Sequence, residues 1–385
     1  MATNVINIRE FVDVSTTVAT TPADVERDWT SVLFVQKGEA GTATKAKKYD
    51  TLNDLISDLG SNTAAAKFAT QFYQTEYGIA PNSPVWVATI DASESELFAS
   101  NFTSLLTSED YYLVAIDDAF TAAENKSAAL LANAANTTTA HKLFLVDKSA
   151  AAFDKTLEED TDSLSAYCAN NDFNHVIVTA VNPSNTNPYY QAANMAFWAT
   201  RQFNSSSRQM ASLANKPASG IEPVDMTDPQ LDASVLPTQK FKNLDSKNAN
   251  VYINVKLVGL PAWERGNLPS GNDISEYISA DYLNYTITMA VFQLLQSVPR
   301  VPMNRDGATM LANTISGAFA DLRTAGVIGG GTSLDGEVFS DLGYKISIPT
   351  PTGVKKANGL WDGIVCSALL QGSAKKVVIG NDLKK

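Results

Sequence analysis

Between Gly271 and Ile328 the chain carries two helix-patterned segments joined by the turn Val298-Pro299-Arg300-Val301-Pro302-Met303-Asn304-Arg305-Asp306-Gly307, and this pair limits what the rest can fold into. In the first segment Ile274, Ile278, Tyr282, Tyr285, Met289, Phe292 and Leu295 recur at spacings of three and four, one face of a 3.6-residue helix. A second row, Leu283, Ile287, Val291 and Leu294, makes the C-terminal half apolar nearly all round and predicts that this half is buried. Pro299 ends the segment. The second helix has Leu311, Ile315, Ala318 and Leu322 on one stripe, Asp306 as its expected N-cap and Gly326 at the left-handed C′ position. Nothing in the pair has the look of chemistry; it is a scaffold.

A chain of 385 residues predicts two or three packed units. Its composition, 44% hydrophobic and 18% charged, is that of a globular protein, and no apolar run approaches the roughly 18 residues of a membrane span. The start, Met1-Ala2-Thr3-Asn4-Val5-Ile6, lacks the basic and apolar regions of a signal peptide, so a cytoplasm-like compartment is expected. Cys168 and Cys366 fit no metal-ligand spacing and are expected as small buried side chains. Charge is divided along the chain: residues 1–239 hold 14 Lys/Arg against 29 Asp/Glu, and residues 240–385 hold 15 against 12. Such a division lets one part face outward in solvent while the other approaches an acidic protein, or it is surface charge drifting between domains. No basic patch interleaved with aromatics points to nucleic acid.

Taken in order, residues 1–22 read as an extended arm or edge strand. Residues 23–90 hold a buried strand around Trp29 to Gln36, helices opening at Thr51 and Thr63, and a strand at Val85 to Ile90. From 91 to 204 strands at Tyr111 to Ile116, Leu143 to Asp147 and Val176 to Val181 alternate with helical stretches at 94–106, 121–135, 156–170 and 189–203, a βαβ rhythm that predicts a mostly parallel, helix-covered sheet. Residues 205–248 are broken by Pro217, Pro223, Pro229 and Pro237 and read as an irregular connection. A strand at Val251 to Val258, the helical pair, and strands at Tyr344 to Ile348 and Ile364 to Leu370 make a unit over 249–370, and 371–385 close the chain as a second arm.

Catalytic signatures are weak. His141 and His175, the only histidines, each precede a predicted strand, and structural or solvent-facing roles are favoured over catalysis. No Gly-x-Ser-x-Gly elbow marks a nucleophile. Gly329-Gly330-Gly331-Thr332-Ser333 lacks the strand, helix and Lys of a phosphate cradle and reads as a hinge or turn. Glu158-Glu159-Asp160 with Asp162 lacks an EF-hand pattern and reads as a solvated helix start. The extremities remain: Val5, Ile6 and Ile8 at one end and Val377, Val378 and Ile379 at the other are strand-like segments that pair either within their own domain or with another subunit's sheet edge.

In order of features the chain resembles the contractile tail sheath proteins of bacteriophages and the related type VI secretion and pyocin sheaths. The resemblance rests on Ser31-Val32-Leu33-Phe34-Val35 followed by Lys48-Tyr49-Asp50-Thr51-Leu52-Asn53-Asp54-Leu55, on Phe68–Tyr73 and Pro84-Val85-Trp86-Val87, on Pro269-Ser270-Gly271-Asn272-Asp273-Ile274 and Asp281-Tyr282-Leu283, on Val301-Pro302-Met303-Asn304-Arg305-Asp306-Gly307, and on Gly359–Leu370. It implies a multidomain α/β and α+β chain in which a subtilisin-like, non-catalytic α/β domain is inserted into a trunk built from both chain ends. It implies a non-enzymatic virion tail protein, assembled in the host cytoplasm, whose arms exchange strands between subunits through Val5, Ile6, Ile8, Val377, Val378 and Ile379 and tie hexameric rings around a tail tube. Its implied partners are neighbouring sheath subunits, the tube, baseplate and terminator proteins, with no cofactor, metal, nucleic acid or membrane insertion. Arg323, Lys355, Lys356, Lys375 and Lys376 are the implied basic residues toward an acidic tube. Another self-associating tail or baseplate protein and an α/β hydrolase are the alternative readings.

Overall fold

The computed structural model describes residues 29–74, 80–108, 110–138, 141–149, 157–158, 160, 162–181, 189–201, 210–224, 247–255 and 260–371. The expected arms, with Val5, Ile6, Ile8, Lys375, Lys376, Val377, Val378 and Ile379, lie outside the described residues.

Short, fully apolar strands demand burial on both faces, and the sheet supplies it. The strands β1 (Val32–Gly38), β2 (Lys45–Tyr49), β3 (Val85–Asp91), β4 (Leu113–Ile116), β5 (Leu143–Ser149), β6 (Val176–Val181), β7 (Asn250–Val255) and β8 (Leu260–Trp263) form one sheet in the order β2-β3-β1-β4-β5-β6-β7-β8. The six inner strands are parallel, and β2 and β8 close the edges antiparallel. Helices α1 (Leu52–Leu59), α2 (Ala64–Phe72), α3 (Ser95–Leu106), α4 (Ala122–Thr138), α5 (Leu164–Asn170) and α6 (Tyr190–Ala199) cover it. Two layers follow from the packing, with α2 and α6 together on one face and α3, α4 and α5 in succession on the other. Phe34 stacks on Phe68 of α2 at 4.5 Å, while Phe144 meets Phe102 of α3 edge-on at 6.0 Å. Thr51 caps α1 as expected, accepting from the amide of Asp54, and Thr63 caps α2, accepting from that of Ala66.

The second unit is built on α7 (Ile274–Ser297) and α8 (Arg305–Thr324). At 24 residues α7 is about 36 Å long and serves both cores. Ile274 and Ile278 belong to the core of the large sheet, whereas Leu283, Ile287 and Val291 pack with Leu311, Ile315, Ala318, Phe319 and Leu322. Phe319 stacks at 4.6 Å on Tyr344 of β11 (Tyr344–Ser347), which pairs with β12 (Val365–Ala368); β9 (Gly331–Thr332) and β10 (Val338–Phe339) form a second ribbon, and a short helix α9 (Gly353–Ala357) lies between β11 and β12 in the chain.

Several expectations need correction. The boundary expected between residues 90 and 91 falls inside β3, and the sheet continues through it and on through β7 and β8. Residues 32–91 therefore join the strands of 91–204 instead of pairing with 249–370: the Val32-Leu33-Phe34-Val35 run is wholly buried and finds two apolar neighbours only between β3 and β4. The buried part of α7 is its first two thirds, and Leu295 near its end is 40% exposed. Asn304, not Asp306, caps α8, accepting from the amides of Asp306 and Gly307, with Asp306 left in the first turn where its charge suits the helix dipole. Gly326, at φ 72°, does close α8. Helix α5 starts only at Leu164, because Asp160 is not solvated: it is buried against Lys247 and accepts from the amides of Asp162 and Ser163. The glycine run is no hinge. Gly331 enters β9, and Gly329 packs so closely on Gly343 that a Cβ on the latter would lie 2.7 Å from its backbone. Cys168 is buried as expected, but Cys366 is only partly so, because β12 has one open face.

One glycine is fixed by contact. A Cβ at Gly307, in the first turn of α8, would sit 1.8 Å from the Pro302 carbonyl oxygen and 2.9 Å from the Trp361 ring. Gly307→Ala is expected to destabilise the second unit by the upper end of the overpacking range, about 3 kcal/mol. Urea unfolding checks it, and an unchanged midpoint would contradict this account of the turn.

Candidate functional site

In an open parallel sheet, ligands bind at the carboxyl ends of the strands. Here that end carries Asp117 and Asp118 after β4, Asp147 and Lys148 in β5, and Tyr189 and Gln191 at the start of α6. Asp147 is fully buried and accepts the Gln191 amide at Oδ2 at 2.9 Å. Burial pushes its carboxyl well above the ordinary range, and burial likewise raises Asp117 and Asp118 and lowers Lys148. A carboxyl raised on folding contributes most below its unfolded value near 3.8 and loses that contribution as pH climbs toward its folded value. Asp147→Asn, which stays neutral, is therefore expected to raise the melting temperature at pH 8 relative to the native chain and to make little difference at pH 4. Equal shifts at both pH values would contradict a raised Asp147 carboxyl.

The histidines sit at the opposite, amino ends of the strands. His141 precedes β5 and His175 precedes β6, with 0% and 3% exposure, and Asp281 of α7 lies between them, also 0% exposed. His141 Nδ1 is 3.0 Å from Asp281 Oδ1, His175 Nε2 is 3.5 Å from Oδ2, and the hydroxyl of Tyr112, just before β4, donates to Oδ2 at 2.8 Å. Burial alone would raise the Asp281 carboxyl; the positive charge available at His141 and His175 overrides it and holds the group far below the carboxylate range. These groups are sealed from solvent and lie away from the end where α/β enzymes work, so the structural reading of the histidines stands and the solvent-facing one does not.

The surface with features of assembly is the β11–β12 ribbon. Leu369 N–H donates to Gly343 O, which fixes the alternation: Lys345 with Ser367 and Ser347 with Val365 bond to each other, and the backbone groups of Ile346 in β11 and Cys366 in β12 turn to the outer edges. Among the described residues no strand pairs with either outer edge. Tyr344, Ile346, Cys366 and Ala368 rest on the second core, while Val365 is exposed, as are Val338, Val354 and Leu360 nearby in the chain. Of the basic candidates, Arg323 is exposed in the last turn of α8, and Lys355 and Lys356 are exposed on α9, where Lys355 pairs with Asp362.

With this geometry in hand, the likeness to known proteins is specific. Residues 274–358, from the start of α7 through α9, match the family model of the C-terminal domain of E217 tail sheath protein gp31-like proteins. The whole chain superposes on the helical sheath of the anti-feeding prophage in its contracted state, with a TM-score of 0.63 and 14% identity, covering 100% of each chain. It is also similar to the contracted sheath complex of PVC, an extracellular contractile injection system, with a TM-score of 0.60 and 12% identity over 100% of this chain and 99% of that one. No curated protein sequence matches. The fold is thus that of contractile sheath proteins, and the resemblance to the tail sheath family read from the sequence is supported both by the segment that carries α7 and α8 and by the architecture. The matched proteins are structural components, not enzymes.

Sequence reasoning missed Asp281 as the partner of both histidines. It lies at i+3 from Ile278, on the stripe side of an apolar helix, and no spacing along the chain links it to residues 141 and 175. The one usable signal was a charge inside an otherwise apolar helical face.

Proposed function

We propose that the chain is a subunit of a contractile tail sheath, which polymerises as hexameric rings around a tail tube and contracts to drive the tube through a host envelope. The observation that carries this reading is the two-stranded β11–β12 ribbon with both outer edges unpaired among the described residues, on a fold matched by sheath proteins. An edge of this kind accepts a further strand. The strands offered are the arm segments Val5 to Ile8 and Val377 to Ile379 of neighbouring subunits. The mildly basic residues 240–385, with Arg323, Lys355, Lys356, Lys375 and Lys376, face an acidic tube, and the acidic first unit faces outward. A fold similar to a chain in the baseplate of the anti-feeding prophage supports a baseplate as a further partner, and a terminator closes the far end. Assembly takes place in the host cytoplasm and the product is part of the virion tail.

Cys366→Pro removes the outward N–H of β12 without touching a ladder bond, a position where an edge strand tolerates proline. The folded monomer is expected to persist while each inter-subunit contact loses about 1–3 kcal/mol, because a neighbour's carbonyl is left unpaired. Pelleting assays across concentrations check this; unchanged assembly would exclude the β12 edge as an acceptor.

A further inference from the structure

We propose that His141, His175 and Asp281 form a binding site for one divalent transition-metal ion of the zinc type, a metal staple between the large sheet and α7. The three side chains offer two imidazole nitrogens and a carboxylate, all with ligand atoms within 4.8 Å of one another, and all three are buried. A tetrahedral ion with bonds of about 2.0–2.2 Å sets its ligand atoms roughly 3.3–3.5 Å apart. The observed nitrogen–oxygen separations are 3.0 Å from His141 to Asp281 Oδ1 and 3.5 Å from His175 to Oδ2, one on each carboxylate oxygen. The imidazole nitrogens and the carboxylate thus converge on one small buried space, where an ion would take the place of the imidazole protons that otherwise face Asp281. The Tyr112 hydroxyl on Asp281 Oδ2, at 2.8 Å, is the outer partner that orients a ligating carboxylate.

The ligand types select the metal class. Two imidazoles and one carboxylate suit zinc and its first-row neighbours, and the absence of thiolate and the single carboxylate argue against Cu(I) and Ca²⁺. The supporting elements are rigid: both histidines stand at the amino ends of adjacent parallel strands, and Asp281 is held in the buried part of α7, the helix shared by the two cores. An ion here joins the sheet to the helix that carries the second unit, so its binding energy becomes folding energy.

The test is elemental analysis of the full chain purified without chelators, followed by removal of metal under mild acid and chelator and titration of the apo chain with Zn²⁺ and Co²⁺. The expected results are close to one equivalent of metal per chain, a higher melting temperature for the Zn²⁺ form, and the visible absorption of tetrahedral Co²⁺. His175→Gln and Asp281→Asn, each near-isosteric, should abolish the cobalt spectrum while far-ultraviolet circular dichroism remains native. The native chain decides the matter should either variant misfold. A native chain that is metal-free as purified, silent toward Co²⁺ and unshifted in melting by Zn²⁺ overturns the proposal and leaves a carboxylate closed by imidazole protons.

Discussion

Deleting residues 1–20 is expected to leave a folded, soluble subunit that forms no tubes. The chain is anchored after them at Trp29, whose ring packs on Tyr112 at 4.8 Å and on Tyr282 and Tyr285 of α7 at 5.5 and 5.7 Å, and β1 starts three residues later at Val32. That aromatic cluster joins the strand β1 to α7 independently of residues 1–20, and the arm proposed for those residues serves a neighbour. The melting temperature of the truncated subunit should match that of the unassembled native chain. Assembly should fail, because each subunit then withholds the proposed arm segment with Val5, Ile6 and Ile8. Normal tubes from the truncation would remove the N-terminal arm from the account.

Asp281→Ala is expected to be the most destabilising single substitution, costing about 3–5 kcal/mol, the range for removing one partner of a buried charged group. The carboxylate faces both histidines, and without it two buried imidazoles and the Tyr112 hydroxyl lose a common acceptor. The effect should reach both cores, since α7 contributes Ile278 to one and Leu283 to the other. Tyr112→Phe, which deletes a single hydrogen bond, should cost about 1 kcal/mol. Chemical denaturation of the two variants checks the ordering; a loss under about 1 kcal/mol for Asp281→Ala would mean the cluster is not the link described.

Much of the fold was legible where one local rule acted alone. The strands β3 and β6 lie where their β-branched runs end, and Thr51, Thr63 and Gly326 punctuate helices through caps that need only neighbouring residues. Errors arose where distant chain decided the outcome. The Val32 to Val35 run says that a strand is buried but not between which partners, so its place in the centre of the sheet was lost and a false boundary drawn at β3. Asp160 and Lys247 are 87 residues apart, and their buried pairing is invisible to a reading of charge runs. The exposed end of α7 is apolar nearly all round, a pattern that predicts burial without naming what covers it. For assembly the sequence offers only the pair of strand-like ends as candidates, together with the resemblance; the open edges of the ribbon become visible only once β11 and β12 are placed side by side.

The most direct test of the sheath assignment is negative-stain electron microscopy of the purified chain, alone and with the tail tube protein of the same particle, alongside sedimentation at several concentrations. The account predicts stacked rings or long tubes, formed spontaneously or on the tube as template. A monomer at every concentration that also leaves the tube protein undecorated would contradict it.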